Sequence, residues 1–269
     1  MEPTTRKEIG RFQEEVLEKE LQRAVDENLI EEIYWVGGEP LMWERHWSIM
    51  HQLVKSKQSK NVVIRYNTNL SRIRYKNYYL YDLLPYFKRI NLCASIDGVG
   101  DVGEYIRTGL NWQEWLENFK KGMFLIDQYG DDALVFDVTL TTPGFFDLKN
   151  LFDTVTELDV KSYLKITFAF DPSVLMSPMC LPRDILDNEI YRLIDYMESK
   201  QTTKNKIYVD TLKDMLTRQN FYEQWPEEVD SGLSKGKRNI EFLETIRNQK
   251  TTFRETLNRE AKKWWDLIE

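Results

Sequence analysis

Cysteine and histidine are nearly absent from this chain of 269 residues. Its two cysteines, Cys93 and Cys180, lie far apart and form no C-x-x-C pair. Both sit in apolar runs, so the expectation is two buried free thiols, with neither a disulfide framework nor a thiolate metal centre. The two histidines, His46 and His51, are five positions apart. On a helix that spacing points them to different sides, which argues against a shared metal ion. An excess of basic residues is also missing: 37 Lys and Arg face 44 Asp and Glu, for a net charge of −7. That balance argues against a nucleic-acid surface, although Arg65 to Lys76 is basic enough for a local anion contact. No apolar run approaches the ~20 residues of a membrane helix. The opening MEPTTRKEIGRF lacks the apolar core of a signal peptide, so the expected location is the cytoplasm. Neither G-x-G-x-x-G nor G-x-x-x-x-G-K-[ST] occurs, and no Cys/His or Ser/His pair has a useful spacing. There is no fixed-period repeat and no low-complexity tract.

What is present is a core and a rhythm. Hydrophobic residues make up 42% of the chain, enough for one large α/β domain or a barrel with an appendage. Apolar positions at threes and fours predict a helix from about Arg6, capped by Thr4 or Thr5, to Asn28. β-favouring runs predict strands at Ile30–Val36, Asn61–Asn67, Ile90–Ile96, Leu134–Thr141 and Tyr163–Phe170. Helices are predicted between them at Met42–Ser56, Tyr78–Tyr86, Trp112–Tyr129 and Leu148–Leu158. Regular alternation with short links predicts a parallel sheet with right-handed crossovers, either open or as a partial (β/α) barrel. A βα barrel usually starts on a strand and this chain starts on a helix, so a first strand is expected to be missing upstream. After Asp171 the texture changes: Pro178 and Pro182 mark an irregular loop, and helical spacing follows at Asp184–Lys200, Val209–Phe221 and Asn239–Ile268, with loop or frayed helix over Trp225–Lys237. The boundary is placed near residue 172, dividing residues 1–172 from a mainly helical extension, residues 173–269.

Polar residues gather where the strands end. The first end carries Gly37-Gly38-Glu39-Pro40; the next carries Asn67, Thr68 and Asn69. Ser95 and Asp97 follow, then Thr139 and Thr141, then Asp171. Ends of parallel strands share one side of a βα fold, where ligands bind. A single such residue is explained as a turn former or cap, but five consecutive polar ends on apolar strands point to a pocket for a polar small molecule. Glycines at 37 and 38 let a ligand approach bare backbone, and Glu39 places a carboxylate beside it.

The motifs resemble those of radical SAM enzymes. Gly37-Gly38-Glu39-Pro40 is similar to the family's GGE motif, which holds the amino group of S-adenosylmethionine. Asn67-Thr68-Asn69-Leu70 is similar to its T-N-G segment, with Leu70 where glycine is usual. Ser95-Ile96-Asp97-Gly98, followed by Arg107-Thr108-Gly109, is similar to its S-x-D-G…R-x-G region. The resemblance covers residues 30 to 171 and, more weakly, a twitch- or SPASM-like extension beyond. It implies a radical-SAM-type partial (β/α) barrel in which Gly37, Gly38, Glu39, Pro40, Asn67, Asn69, Ser95, Asp97 and Arg107 bind the cofactor, while Thr139, Thr141 and Asp171 face substrate. It also implies a [4Fe-4S] cluster that generates a 5′-deoxyadenosyl radical, an electron donor, and a peptide, protein or other biomolecule as substrate. The departure from the family is the missing C-x3-C-x2-C loop that would supply the cluster's ligands. The chain is therefore expected to be either an N-terminally truncated enzyme, inactive on its own, or a degenerate, cluster-free binding module, with no metal ligands of its own.

Overall fold

The computed structural model describes residues 9–168, 174–200 and 202–269, without the side chains of residues 13 and 14. A π-helical turn, Gln13–Leu17, leads into α1 (Glu18–Asp26). The order continues β1 (Glu32–Trp35), α2 (Glu44–Lys55), β2 (Val63–Thr68), β3 (Arg74–Tyr75), β4 (Tyr78–Tyr79), α3 (Leu80–Leu83), β5 (Arg89–Ser95), α4 (Gly100–Ile106) and α5 (Trp112–Lys121). Next come α6 (Phe124–Tyr129), β6 (Leu134–Leu140), α7 (Thr142–Glu157) and β7 (Lys161–Ile166). Helices α8 (Arg183–Glu198), α9 (Asn205–Thr217), α10 (Phe221–Gln224), α11 (Val229–Arg247), α12 (Phe253–Thr256) and α13 (Arg259–Leu267) complete the chain. Five strands form one parallel sheet in the order β1-β2-β5-β6-β7, and β3 pairs with β4 in a separate antiparallel hairpin. The fold is α/β, as the alternation of strand and helix patterns predicts.

The chain divides into two compact units, Met1–Cys93 with Lys121–Leu134, and Ala94–Lys120 with Val135–Glu269. In the first unit α2 buries His46, Trp47, Ile49, Met50 and Leu53. Strand β2 alternates, turning Ile64, Tyr66 and Thr68 inward while Arg65 stays exposed, as its period of two requires. Trp47 donates its indole N–H to the Leu41 carbonyl at 3.0 Å and stacks with Tyr75 and Tyr78 of the hairpin. Each fully buried side chain of this size contributes roughly 1.5–3 kcal/mol.

The second unit is built on β6 and β7. Phe136 on β6 meets Phe119 of α5 edge to face, with centroids 4.5 Å apart. On β7, Ser162 donates to the Tyr208 hydroxyl of α9 at 2.8 Å. Helix α7 starts earlier than its apolar spacing predicts. Pro143 occupies its first turn and Thr141 caps it, accepting from the Gly144 N–H at 3.3 Å. Proline suits that position because its missing N–H has no helical partner there.

Three further departures have local causes. The hairpin over Arg74–Tyr79 carries no alternation long enough to announce a strand. The helix expected over Trp112–Tyr129 is broken at Gly122, where an added Cβ would lie 2.7 Å from the Tyr81 ring. The tail expected as one helical stretch ends α11 at Asn248, which is left-handed at φ 48°. Thr252 with Glu255 then forms a capping box that starts α12, and Asn258 caps α13.

Candidate functional site

The turn after β1 is tied to the turn after β2 by one carboxylate. Glu39 Oε1 accepts from the Leu41 N–H at 3.1 Å and from the Thr68 hydroxyl at 2.6 Å, and Oε2 accepts from the Asn69 N–H at 2.7 Å. Through the first of these bonds Glu39 also caps the short 3-10 turn Pro40–Met42. A carboxylate has about four acceptor directions, so three are filled by the chain itself and one remains, on Oε2. Pro40 is buried as the first residue of that turn.

The glycines before it stand open. Gly37 has φ 110°, a conformation that only glycine adopts readily, and an added Cβ at Gly37 or Gly38 would meet no atom within 4 Å. Asn67 Oδ1 accepts from the Tyr34 hydroxyl at 2.5 Å. Asn69 folds back on its own turn, its Oδ1 accepting from the Ser71 N–H at 2.9 Å and the Ser71 hydroxyl at 2.6 Å. Leu70, at the position where the resembling motif carries glycine, is left-handed at φ 49° with its side chain fully buried. Burial of the leucine offsets the backbone strain of that conformation.

Behind these turns lies a buried aromatic cluster that the sequence pattern did not single out. His46 has Nε2 2.7 Å from the Tyr66 hydroxyl and its ring 4.9 Å from Trp35 and 5.0 Å from Trp47. Its Nδ1 is buried without a hydrogen-bond partner. Burial pushes the imidazole down to about 3, and the same burial pushes the Tyr66 phenol up. His46 is therefore a neutral core residue.

In the second unit the turn after β5 is knitted from within. Asp97 is buried; its Oδ1 accepts from the Thr139 N–H at 3.0 Å and its Oδ2 lies 2.8 Å from Arg107 Nε. That Nε is close to the carboxylate but its N–H is not aligned on it as a hydrogen bond. Ser95, at the end of β5, is half-buried. Asp147 of α7 grips the same turn, its Oδ2 accepting from the Val99 N–H at 2.7 Å and its Oδ1 from Asn150 at 2.8 Å. Burial pushes the Asp147 carboxyl up to about 6 against those two bonds. The turn is also a close-approach point: a Cβ on Gly103 would lie 2.4 Å from the Gly98 carbonyl oxygen, and one on Gly144 would lie 2.2 Å from that of Asp97.

Of the residues predicted to face substrate, Thr139 is half-buried, Thr141 is buried and committed to capping α7, and Asp171 lies outside the described residues. The structure adds a pair that the strand-end argument missed. Asp137, buried in the middle of β6, has Oδ1 2.6 Å from Lys165 Nζ on β7. Asp137 and Thr139 share one face of β6 by alternation. The signal was present as a lone carboxylate inside an apolar strand, Leu134-Val135-Phe136-Asp137-Val138.

Thiol chemistry is unfavourable to metal binding. Cys93 and Cys180 are buried, and burial pushes the Cys180 thiol up to about 12, whereas a metal takes the thiolate. Among the described residues no group of three His, Cys, Asp or Glu side chains could hold a metal ion. No described helix is long and apolar enough to cross a membrane.

Fold and turns together define an α/β protein on a five-stranded parallel sheet with a carboxylate-braced glycine turn at the end of its first strand. No protein-family model, curated protein or solved structure matches the chain.

Proposed function

We propose that this chain is a partial (β/α) barrel of the radical SAM type, and that the paired turns after β1 and β2 bind the methionine ammonium of S-adenosylmethionine. The bracing of Glu39 by Thr68 and Asn69 carries this reading. It joins the two motif segments into one preorganised unit, with open glycine backbone beside a carboxylate that keeps one acceptor direction. An ammonium wants such a carboxylate together with backbone carbonyls. Thr68 and the Asn69 N–H orient Glu39, so the ligand meets a carboxylate that needs no reordering. Ser95 and Arg107 are the residues that the family resemblance assigns to the ribose or carboxylate of the cofactor.

The donor set does not fit an iron–sulfur cluster. The [4Fe-4S] cluster of the resembling family takes three thiolates, and these 269 residues hold two buried cysteines. That chemistry favours cofactor binding without radical generation by these residues alone. A role in modifying a peptide or another biomolecule requires thiolates that this sequence does not contain.

Calorimetric titration of S-adenosylmethionine into the folded chain tests the proposal. Saturable binding that is lost in Glu39→Ala and weakened in Thr68→Val supports it. Equal affinity in wild type and Glu39→Ala, or no binding to the folded wild type, rejects it. Anaerobic reconstitution with iron and sulfide is expected to yield no visible charge-transfer absorbance.

A further inference from the structure

A cavity of about 410 Å³ lies wholly within the second unit, among the end of α4, the 3-10 turn Val174–Met176 and the outer half of α11. That volume suits a small organic ligand. Its walls are apolar, with Ile106, Leu175, Ile240 and Leu243 among them. Phe242 also lines it while remaining 64% exposed, an aromatic surface that an occupant would cover. Gly236 brings α11 against the 3-10 turn, since a Cβ there would lie 3.0 Å from Val174 Cγ1 and 3.1 Å from Leu175 Cδ1.

Two opposite charges line the same cavity. Glu244 is fixed: its Oε1 accepts from the Tyr105 hydroxyl at 2.8 Å and from the Phe253 N–H at 2.6 Å. Its Oε2 has no hydrogen bond among the described residues. Arg247 stands three residues further along α11, a spacing at which a glutamate and an arginine commonly pair. Here they do not pair, and the Arg247 guanidinium has no hydrogen bond or ion pair among the described residues. The cavity therefore offers an anion held in place by its own donors, an uncommitted cation, and apolar walls.

We propose that this cavity binds a free α-amino acid with an apolar side chain. The ammonium bonds Glu244 Oε2, the carboxylate pairs with Arg247, and the side chain lies on Leu175, Leu243 and Phe242. A purely apolar ligand would take both charges out of water with no partner, which is costly. A monoanion or monocation would satisfy one charge and oppose the other. A zwitterion with an apolar side chain satisfies both and covers the apolar walls. This site shares no residue with the turns after β1 and β2, and its proposal does not rest on theirs.

The test is calorimetric titration of the intact chain with L-phenylalanine and L-leucine, against 3-phenylpropionate, phenethylamine and L-alanine. The expected result is saturable binding of phenylalanine or leucine, with each analogue lacking one charge or the apolar side chain about tenfold or more weaker. Arg247→Ala, a change at an exposed position, should weaken phenylalanine about tenfold while leaving phenethylamine as tight as in wild type or tighter, since the like charge that opposes it is gone. Leu243→Gln should weaken leucine and phenylalanine alike, and Glu39→Ala should affect neither. The proposal is overturned if phenylalanine binds no better than its singly charged analogues. It is equally overturned if Arg247→Ala binds phenylalanine like wild type, or if no apolar amino acid binds the folded protein.

Discussion

Thr68 donates its hydroxyl hydrogen to Glu39 over 2.6 Å, a bond between residues 29 positions apart in sequence. Thr68 is buried and Glu39 is partly so. The pair locks the end of β2 to the turn after β1, which makes it a measurable coupling. A double-mutant cycle with Glu39→Gln and Thr68→Val, followed by urea denaturation, should give an interaction energy of about 1–3 kcal/mol, the range for a hydrogen bond to a charged group. Strict additivity would show that the turn is held by other means.

His46 predicts loss of stability in acid. Its pKa is 6.5 in the unfolded chain and about 3 in the fold, so the unfolded state takes up the proton first. The stability it contributes is complete above pH 6.5 and declines as pH falls towards 3, by about 1.4 kcal/mol per unit in mid-range. His46→Leu should remove this dependence. It should also cost about 1–3 kcal/mol at pH 7, because the buried Tyr66 hydroxyl is left without its partner.

Asp147 works in the opposite direction. Its pKa rises from 3.8 to about 6 on folding, so the folded state holds the proton longer. Its contribution favours the fold below pH 3.8 and is lost as pH rises to 6. Between pH 4 and 6 the slopes from His46 and Asp147 oppose each other. Stability curves of His46→Leu measured over this interval should fall with rising pH, and those of Asp147→Asn should rise.

The thiols should be chemically silent in the native protein. Both are buried, and the Cys180 thiol is pushed up to about 12, so the thiolate that reacts is scarce at neutral pH. Titration with a disulfide reagent at pH 8 should detect two thiols only after denaturant is added. Fast labelling of Cys180 in the native state would contradict its burial.

The parallel order of strands was legible because period-two runs alternated with period-three-and-four runs, and each run was long enough to show its pattern. The end of α1 was legible too: Asn28, read as the stop, is left-handed at φ 57°. The hairpin Arg74–Tyr79 was not legible, because two-residue strands carry no period. Its tyrosines are set by stacking on Trp47, a tertiary contact. At the strand ends the residue types were readable but their duties were not. Asp97, Thr141 and Asn69 all read as polar ends; the structure commits their side chains to a neighbouring strand, a helix cap and an Asx turn. Asp137 lies in mid-strand, away from the strand ends at which a βα fold gathers its binding residues. The cavity beside α11 was beyond reach from sequence, since Tyr105, Leu175 and Arg247 become neighbours only after folding.

A methyl group is a sufficient probe to sort four glycines by the kind of selection each is under. At Gly103 and Gly144 it would strike a carbonyl oxygen within 2.4 Å, whereas at Gly37 and Gly38 it would touch nothing. Alanine at the first two positions should therefore fail in any screen for folded protein. At Gly38 it should pass that screen and fail only a screen for ligand. A comparison of the two screens, position by position, would separate architecture from recognition without knowledge of the ligand's name.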